Sequence, residues 1–558
     1  MNISEKKWIV SDSTTYSDPD SVVNALLATR GIDDKSKQSF LKPMLSSLTL
    51  ESVGIDSQGV RKAIKRIKIA IDKKEQIIVY GDYDVDGITG AAILWETLYA
   101  LGGNVLPYIP HRVDEGYGLS EKGIQNLLAS TPPKLIITVD NGIVAHTAVD
   151  FAKKHGIDVI ITDHHVVDGD RALPDAHSFV HTTKLCGSSV ALLFSKEIKD
   201  QFADSASEFD KEHLILAALA TVADLVSLTQ ENRTILMVGL KLIRSTERIG
   251  LRELLKISGL EGKEIGVYEI GHIIAPRLNA AGRIESGMDS LRLLCTKDSK
   301  KAQELASALD EVNKKRQILM KDSALLAIER ARSIQQDKKI IIVDEEEFEE
   351  GIIGLVAGKL VEEFYKPSIA IAKRADVSKG SVRSVSGVNI IEMLRLKSDL
   401  FINAGGHPMA AGFTVKTSNI EIMKKVLESI AEEIVTLDHL LRAIKIDLFI
   451  PLSFSLTELY GQIQALAPFG MGNPEPLFLA KNVIIRDKRI IGKDQTHVRF
   501  VLSADEISTP FEAIAFGMAE KSVGIEKDDT IDIAYTLDTN TWNDVTKLQL
   551  KLRDFRRS

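Results

Sequence analysis

Three short apolar runs, rich in β-branched residues, lie in the first third of the chain at positions 77–80, 135–139 and 159–162. Polar turn residues bound each run and helical stretches separate them, a pattern typical of strands that alternate with helices. This alternation predicts a parallel β-sheet in an α/β domain. Because ligands of open α/β sheets lie at the carboxyl ends of the strands, we expect residues that follow the three runs to share one crevice.

The next part of the chain, about 231–335, has a strongly helical pattern. Its apolar residues recur at steps of three or four, or sums of these, which is the spacing of one helix face. The residues of this stripe are Leu305, Leu309, Val312, Leu319 and Leu326. Charged residues at 314–316 interrupt the stripe, so the pattern favours a long connecting helix over a dimerising coiled coil.

Two further patterns complete the chain. Apolar runs at 340–343 and 367–372 flank a helical stretch at 351–360, which predicts a second α/β unit. From about 441 onwards apolar and polar residues alternate, for example at Val498, Phe500 and Leu502. A period of two with polar turns between the runs predicts a small β-barrel.

These changes of pattern divide the chain into five predicted segments. They are a polar, partly ordered extension at 1–45, a catalytic α/β domain at 46–230, a helical connector at 231–335, a second α/β domain at 336–440 and a β-barrel at 441–558. The length of 558 residues agrees with three or four folded domains.

Acidic residues and histidines follow the three apolar runs of the first domain. They are Asp82, Asp84 and Asp86 in GDYDVDG, then Asp140, then Asp163, His164 and His165 in DHH. Five carboxylates within a few ångströms repel one another unless protons or cations neutralise them. Carboxylates with imidazoles and no cysteine suit Mn²⁺ or Mg²⁺ better than structural zinc.

We expect two ions, with Asp140 between them. Two ions about 3.5–4 Å apart can activate a water and stabilise the oxygens of an in-line phosphoryl displacement, which predicts phosphate-ester hydrolysis. A further candidate ligand is Asp224, which lies in the apolar run 214–228, where an unpaired carboxylate is costly to bury.

Simpler interpretations of these residues exist. A single aspartate at a strand end is more often a helix cap than a ligand, and only the combination favours catalysis. GDYDVDG also matches the start of a calcium-binding EF-hand loop, but position 12 of that loop would be Ile93 instead of glutamate. A predicted strand, not a helix, precedes the motif, so the EF-hand interpretation fails.

Composition and charge restrict the class of protein. No apolar stretch is long enough for a membrane span, and the first ten residues lack a secretory pattern, so we expect a cytoplasmic protein. Two cysteines, Cys186 and Cys295, have no metal-site spacing and are interpreted as buried thiols. A net charge of −8 means that any nucleic-acid binding depends on local basic patches. Candidate basic residues are Arg112, Arg277, Arg283, Lys379 and Arg383.

Eight motifs together resemble the DHH phosphoesterase superfamily and, within it, the RecJ family of single-strand-specific 5′ to 3′ exonucleases. They are GDYDVDG (81–87), PHRVDEGYG (110–118), VDNG (139–142), DHH (163–165), PRLNAAGRI (276–284), GSVRS (380–384), GGHPMAAGF (405–413) and LAPFGMGNPEP (466–476). The resemblance covers most of the chain. It implies that the second α/β unit is a DHHA1 domain and that the terminal barrel has an oligonucleotide-binding (OB) fold.

The resemblance also implies roles for individual residues. The metal ligands would be Asp82, Asp84, Asp86, Asp140, His164 and Asp224, with His165 beside them. Ser381 and Arg383 alternate about Val382 as on one face of a strand, and with His407 and Arg112 they could hold the 5′ phosphate. Arg277 and Arg283 are further candidates for substrate binding, and Trp542 and Phe516 are either stacking residues or core residues.

The family's repair role implies single-stranded DNA as substrate and implies single-stranded-DNA-binding protein and a RecQ-type helicase as partners of a monomer. Two rival functions stay open: hydrolysis of very short oligonucleotides, cyclic dinucleotides or pyrophosphate, and a non-enzymatic scaffold of the same fold. Small-substrate enzymes usually lack the terminal barrel, and scaffolds generally lose metal ligands. The choice between DNA and RNA cannot be read from these residues.

Overall fold

The computed structural model describes residues 6–112, 114–167, 172–203, 205–284, 286–334, 337–505, 509–542 and 545–558. Backbone alone is described at Arg283, Ile284, Ile334 and Trp542, so the predictions for the side chains of Arg283 and Trp542 lie outside the described part. The chain divides into two units. Unit 1 comprises Met1–Asp33, Gln317–Ala467 and Glu475–Ser558, and unit 2 comprises Asp34–Arg316 and Pro468–Pro474.

Strands occur in both units. They are β1 (Lys7–Asp12), β2 (Ile77–Gly81), β3 (Val105–Tyr108), β4 (Leu135–Val139), β5 (Asp158–Asp163), β6 (Ser178–His181), β7 (Ile341–Glu345), β8 (Ser368–Ala372), β9 (Val377–Arg383), β10 (Phe401–His407), β11 (Ala410–Lys416), β12 (Ala443–Phe449), β13 (Phe478–Ile491), β14 (His497–Ser503), β15 (Phe511–Ala515), β16 (Thr530–Trp542) and β17 (Val545–Arg557).

The helices lie mostly between the strands of the α/β sheets and in the connector. They are α1 (Pro19–Thr29), α2 (Asp34–Leu41), α3 (Leu50–Val53), α4 (Ser57–Asp72), α5 (Val85–Ala100), α6 (Glu121–Ser130), α7 (His146–Lys154), α8 (Gly187–Ala203), α9 (Lys211–Ala223), α10 (Gln230–Leu242), α11 (Ile249–Ile257), α12 (Val267–Glu269), α13 (Ala275–Ile284), α14 (Met288–Cys295), α15 (Ser299–Ile334), α16 (Ile353–Phe364), α17 (Ile390–Arg395), α18 (Ile420–Ile434) and α19 (Leu456–Ile463).

The sheet of unit 2 is parallel throughout, with strand order β3-β2-β4-β5-β6. Every residue of β2 and β4 is buried, as expected for parallel strands covered on both faces. This arrangement confirms the predicted parallel sheet. The three strands that precede the acidic motifs, β2, β4 and β5, are neighbours in it, so their carboxyl ends lie side by side.

Helices α5 and α8 pack closely beside this sheet through paired hydroxyl groups. The Oγ1 of Thr89 lies 2.6 Å from the Oγ of Ser188, and the Oγ1 of Thr97 lies 2.6 Å from the Oγ of Ser195. These small residues allow close packing, and each buried hydroxyl is hydrogen-bonded, which avoids the cost of an unpaired polar group. The amino ends of α5 and α8 both contribute to the cluster described below.

The predicted connecting helix is α15, which has 36 residues and is therefore about 54 Å long. The division between the two units falls within it, after Arg316. Unit 1 then begins its own five-stranded sheet, in the order β10-β11-β9-β8-β7. Strands β7 and β8 are parallel and the other pairs are antiparallel, so this is a mixed sheet, in agreement with the predicted second α/β domain.

The terminal strands form the second sheet of unit 1, in which β13 pairs with both β14 and β16. Val498, Phe500 and Leu502 are fully buried in β14, as their alternation predicts. Strand β1 joins the edge of this sheet and runs parallel to β12, with Lys7 opposite Ala443. The extension predicted at 1–45 thus contains a strand whose partner lies more than 400 residues further along the chain.

Two smaller expectations concern membranes and cysteines. Within the described ranges, none of the helices combines the length and the apolarity that crossing a bilayer requires. Cys186 is buried as predicted, whereas Cys295 is only partly buried, and burial raises the pKa of both thiols.

Candidate metal centre

The cluster lies at the carboxyl ends of β2, β4 and β5, where Asp82, Asp140 and Asp163 are all buried. Asp140 has a left-handed backbone, with φ of 63°. Gly187 lies against it, because a Cβ atom on this glycine would be 2.6 Å from the Cβ of Asp140. The turn after β4 is therefore shaped by an unusual backbone conformation and by a neighbour without a side chain.

The motif GDYDVDG forms the turn between β2 and α5. Asp84 is the N-cap of α5, and its Oδ1 accepts hydrogen bonds from the backbone N–H groups of Asp86 (3.0 Å) and Gly87 (3.1 Å). A Cβ atom at Gly87 would lie 2.4 Å from the backbone nitrogen of Asp82, so no larger residue fits there. Asn279 supports the same turn, since its Oδ1 accepts from the N–H of Val85 at 2.9 Å.

Asp86 binds the amino end of α8 with both carboxylate oxygens. Its Oδ2 accepts from the N–H of Gly187 at 2.6 Å, and its Oδ1 accepts from the N–H of Ser188 at 2.7 Å. A helix amino terminus carries positive partial charge, so the contact between Asp86 and α8 is electrostatically favourable. The same Oδ2 lies 3.6 Å from the Nε2 of His164, so Asp86 both positions α8 and faces the cluster.

Asp163 orients the two histidines that follow it. Its Oδ1 accepts from the backbone N–H of His164 (2.7 Å) and lies 2.8 Å from the Nδ1 of His165, while its Oδ2 accepts from the N–H of Ile143 (2.9 Å). Although burial raises the pKa of Asp163, the hydrogen bond and charge of His165 lower it below its usual value. With both oxygens used by the protein, Asp163 is suited to positioning His165.

The two histidines have opposite pKa shifts. Burial lowers the pKa of His164, which favours the neutral imidazole with a lone pair available to a metal. Burial also acts to lower the pKa of His165, but the hydrogen bond and charge of Asp163 raise it above its usual value. The Nε2 of His165 lies 3.0 Å from the hydroxyl of Tyr117, which completes a chain from Asp163 through His165 to Tyr117.

Asp224 reaches the cluster from the carboxyl end of α9, where it is the C-cap residue. Burial, followed by the charges of Asp86 and Asp84, raises the pKa of Asp224 to about 8. A carboxylate at a helix carboxyl end faces the negative end of the helix dipole, which is an unfavourable position in the absence of a cation.

Seven of the sequence-predicted residues form three overlapping groups whose ligand atoms lie within 4.8 Å of one another. The groups are Asp82, Asp84 and Asp140; Asp140, His164 and His165; and Asp86, His164 and Asp224. Asp140 and His164 each belong to two groups. Burial raises the pKa of Asp82 and Asp140 well above the usual value, with the charges of Asp84 and Asp86 respectively as the next contributions.

Three buried atoms of this cluster fit a metal ion. Within the described part of the chain, Asp82 Oδ1, Asp140 Oδ1 and His164 Nε2 have no hydrogen-bond partner. The last two atoms are 3.0 Å apart but do not have the geometry of a hydrogen bond. Buried polar groups are normally satisfied, so three such atoms in one cluster of oxygen and imidazole donors suit a divalent cation.

The basic candidates of unit 2 differ in their surroundings. The guanidinium of Arg112 lies 5.0 Å from the centre of the Tyr83 ring, beside the GDYDVDG turn, and its charge acts to lower the pKa of Asp82. Arg277 is paired with Asp310, with 2.9 Å between Nε and Oδ1. The structure therefore brings Arg112 to the cluster and engages Arg277 in an ion pair.

The residues of unit 1 that were predicted to bind substrate lie on the mixed sheet. The register places Arg383 of β9 opposite Ala410 of β11, which in turn is opposite His407 of β10. Arg383 Nη1 donates to the Oγ of Ser381 at 3.2 Å. Lys379, on the same strand, forms an ion pair with Glu350 at 2.7 Å. Ser381 and Arg383 are thus in contact and His407 lies on the same face of the sheet two strands away, whereas Lys379 is paired with Glu350.

Sequence reasoning missed two residues that shape the cluster, Tyr117 and Asn141, and it placed Asp163 in the cluster without its orienting role; all three lie in the quoted motifs. Asp163 orients His165, as described above. Tyr117 contacts His165 from the PHRVDEGYG loop, and Asn141 joins that loop to β2 because its Oδ1 accepts from the N–H of Leu119 and its Nδ2 donates to the carbonyl of Tyr80. Their presence in conspicuous motifs was the available signal, but the contact partners depend on the tertiary fold.

Three family models match the chain. They are the DHH family N-terminal domain at residues 76–221, the DHHA1 domain at 337–433 and the RecJ OB domain at 446–554. These matches agree with the fold class predicted for the α/β sheet of unit 2, the mixed sheet and the terminal strands.

Curated relatives extend the similarity over most of the chain. The single-stranded-DNA-specific exonuclease RecJ of Bacillus subtilis is 37% identical over 510 residues, which are 89% of this chain and 63% of the relative. The chain therefore spans less than two thirds of that relative's length. The RecJ exonuclease of Thermus thermophilus is 32% identical over 93% of this chain and 73% of its own. That of Salmonella typhimurium is 31% identical over 89% and 90% respectively.

Solved structures show the same relationship. The crystal structure of RecJ from Thermus thermophilus in complex with Mn²⁺ matches 99% of this chain and 80% of its own, with a TM-score of 0.83 and 28% identity. The Mg²⁺ complex of the same enzyme matches with a TM-score of 0.78. Sequence motifs, domain matches, relatives and fold agree, and the chain belongs to the RecJ family of the DHH superfamily.

Proposed function

We propose that this protein is a divalent-metal-dependent exonuclease that hydrolyses single-stranded DNA from the 5′ end during DNA repair and recombination. The single observation that carries the proposal is the cluster of buried carboxylates and imidazoles, with orphaned Asp82, Asp140 and His164 atoms, at the strand ends of a RecJ-type fold. Family relatives named as single-stranded-DNA-specific exonucleases support the choice of substrate.

The donor atoms suggest how two Mn²⁺ or Mg²⁺ ions would be held. Asp82 and Asp84 would hold one ion, His164 and Asp224 the other, with Asp86 close to the second. Asp140 would contact both, because it belongs to two of the ligand groups. In the structure His164 Nε2 and Asp140 Oδ1 lie 3.0 Å apart, so both atoms would face the same ion.

The bound ions would supply charge stabilisation for the phosphate and lower the pKa of a water molecule. The residues of the chain perform the other tasks. His164 remains neutral because burial lowers its pKa, so it offers a lone pair. His165, whose pKa Asp163 raises, carries a proton over more of the neutral range and can donate a hydrogen bond to the negative charge that develops on the phosphate. Tyr117 limits the rotation of His165.

The group of Ser381, Arg383 and His407 supports a 5′-phosphate site. A Cβ atom at Gly354, near the start of α16, would lie 3.0 Å from Arg383 Nη2 and 3.2 Å from Ser381 Oγ. A guanidinium, a hydroxyl and a helix amino end therefore meet at one place. These groups favour an anion, and an arginine fork can bind two phosphate oxygens.

The first experiment follows digestion of a 5′-phosphorylated single-stranded DNA labelled at its 3′ end, with Mn²⁺ or with EDTA. We expect a metal-dependent ladder that shortens from the 5′ end, while a blunt duplex of the same sequence survives. Cleavage of dinucleotides or pyrophosphate with survival of the long strand would instead favour the small-substrate function. A lack of all cleavage would favour the scaffold.

A second experiment tests the 5′-phosphate site. Replacing Arg383 by alanine removes charge-assisted hydrogen bonds, so we expect the preference for a 5′-phosphate over a 5′-hydroxyl end to fall by about 10- to 100-fold in kcat/KM. The lysine variant should recover part of this preference because it keeps the charge but loses the planar fork.

The matched control for Arg383 is Lys379→Ala, on the same face of β9 but paired with Glu350. It should keep the wild-type preference. If the Arg383 variant lost activity equally on 5′-phosphate and 5′-hydroxyl ends, the proposed 5′-phosphate site would be wrong.

The remaining expectations rest on family membership. We propose that the protein works as a monomer in the cytoplasm, with single-stranded-DNA-binding protein and a RecQ-type helicase as partners. The bounds of the five segments predicted from the sequence pattern are likewise proposals.

A further inference from the structure

An apolar cavity of about 400 Å³ lies in unit 2 beside Asp224. We call it the Leu225 cavity. Among its lining residues are Leu225, Leu228, Val267, His272, Pro276 and Met471. Its volume falls in the range of small-ligand sites in proteins. Ala223 and Leu225, the chain neighbours of Asp224, both line it, so the cavity lies next to one candidate ligand of the metal centre.

Two motifs that the metal centre does not fully use build the walls of this cavity. Pro276 comes from PRLNAAGRI, and Met471 comes from LAPFGMGNPEP. The backbone N–H of Leu228 donates to the carbonyl of Met471 at 2.7 Å, which attaches the Pro468–Pro474 segment to unit 2. A Cβ atom at Gly472 would lie 2.0 Å from Ser227 Oγ. The glycine thus permits the close approach that brings Met471 to the cavity.

The backbone around the cavity is irregular at two places. Leu225 has a φ of 59°, which L-residues other than glycine, asparagine and aspartate rarely adopt, and its side chain is 66% exposed. Gly271 and His272 belong to a π-helical turn at Ile270–Ile274. Strained residues and π-helical turns are frequent at functional sites. Both irregular places line the same cavity, next to a candidate metal ligand.

The chemistry of the cavity favours an uncharged ligand over a phosphate. None of its described lining residues is Asp, Glu, Lys or Arg, so it offers no permanently charged side chain to an anion. Two of its polar side chains are hydrogen-bonded within the protein: Thr221 donates to the carbonyl of Ala217, and Asn279 Oδ1 accepts from the N–H of Val85. Apolar side chains including a methionine suit the flat π-face of an aromatic ligand. The ring of His272 is itself stacked on Tyr268, with 4.6 Å between ring centres.

We propose that the Leu225 cavity binds one nucleobase of the DNA strand whose phosphodiester lies at the metal centre. The inference rests on the proposed function, because it assumes that single-stranded DNA is the substrate and that its phosphodiester lies at the metal centre. The cavity holds the base by its faces and offers few groups that read its edge, so it binds purines and pyrimidines alike. Its role is to fix the strand next to the metal ligands so that the scissile phosphate is in position.

The test measures binding of 3′-fluorescent, 5′-phosphorylated 12-mers by anisotropy, with Ca²⁺ in place of Mg²⁺ and under conditions without cleavage. Each oligonucleotide carries one abasic site at position 1, 2, 3 or 4 from the 5′ end. For the wild-type protein we expect one of these positions to lower affinity about tenfold, in the range found for loss of a stacked base. In Leu225→Gly and in Met471→Ala, the same abasic site should lower affinity by less than about twofold. The pocket is already disrupted in these variants, so removing the base causes little further loss.

Two variants serve as matched controls. Gln230 also has a positive φ, of 48°, but does not line the cavity, so Gln230→Gly controls for backbone strain. Tyr99 is exposed elsewhere on unit 2, so Tyr99→Ala controls for loss of a large exposed side chain. Both should keep the wild-type abasic penalty. Glycine readily adopts the backbone of Leu225, so Leu225→Gly should fold, and thermal melting checks this.

The outcomes separate this inference from the proposed function. If abasic penalties are the same in the cavity variants and the wild type at all four positions, the base pocket is wrong, even if the wild type digests single strands. A preference of more than about tenfold for one base would also overturn a pocket that binds bases by their faces. If the wild-type protein neither binds nor digests single-stranded DNA, the proposed function fails and this inference fails with it.

Discussion

Replacing Asp140 by asparagine is expected to lower kcat for single-strand cleavage by about a thousandfold or more without unfolding the protein. Charge stabilisation by metal ions contributes several kcal/mol to such reactions, and each 1.4 kcal/mol is about tenfold in rate. Asp140 is the carboxylate shared by two ligand groups. Asparagine tolerates the left-handed backbone at φ of 63°, whereas alanine would add strain there.

The same variant should be at least as stable as the wild type in EDTA. Burial, followed by the charge of Asp86, opposes ionisation of Asp140, so a neutral amide avoids the cost of either protonating or ionising this carboxyl in the metal-free protein. Steady-state digestion and calorimetry measure the two effects. Asp528→Asn, with φ of 69° in unit 1, is the control for an aspartate in the same backbone conformation. An Asp140→Asn enzyme that keeps a tenth of the wild-type rate would exclude a central role for this residue.

Removal of divalent metal is expected to lower the melting temperature of unit 2 by about 5–10 °C, and the loss should increase with pH. Metal at 100 times its Kd stabilises the folded state by about 2.7 kcal/mol, and 1 kcal/mol corresponds to about 2–4 °C in a unit of this size. The increase with pH follows from the buried carboxylates. Burial, followed by neighbouring carboxylates, raises the pKa of Asp82 and Asp140 and brings that of Asp224 to about 8.

The direction of this pH effect can be worked out from proton binding. Above about pH 4 the unfolded chain has lost these protons while the metal-free folded protein keeps them. The stability that they contribute is complete below that pH and is lost as the pH rises to about 8, the folded pKa of Asp224. Bound metal ionises the carboxylates in the folded state and removes this dependence. Calorimetry in EDTA and in excess Mg²⁺ between about pH 5 and pH 8.5 measures the difference in melting temperature. A difference that is absent, or that does not change with pH, would contradict this prediction.

Local sequence patterns predicted the parts of the fold that depend on neighbouring residues. The three apolar runs became adjacent parallel strands, and the acidic motifs after them converged because parallel strands end at the same edge. The helical stripe around Leu309 became part of α15. These features follow from periodicity and from the rule that ligands lie at strand ends. Periodicity and strand ends can both be recognised in short windows of sequence.

Features that depend on distant pairing were not predictable. The dual contact of Asp86 requires knowing that α8, a hundred residues later, begins against it. The orienting role of Asp163 depends on which groups hydrogen-bond to its carboxylate. The side chain of His165 and the backbone N–H of Ile143 reach this carboxylate only in the folded state. The Leu225 cavity arises because a short segment at 468–474 packs on unit 2. Neither periodicity nor composition records such contacts.

The pairing of β1 with β12 has a consequence for the order in which the protein folds during its synthesis. At a synthesis rate of about 5–20 residues per second, Lys7–Asp12 waits roughly 20–90 s before Ala443–Phe449 has been made. During that time the first strand of the nascent chain has an unpaired edge, which is a site for misassociation. The fold is therefore closed late, from the carboxyl end, and amino-terminal fragments that stop before 443 leave this strand without its partner.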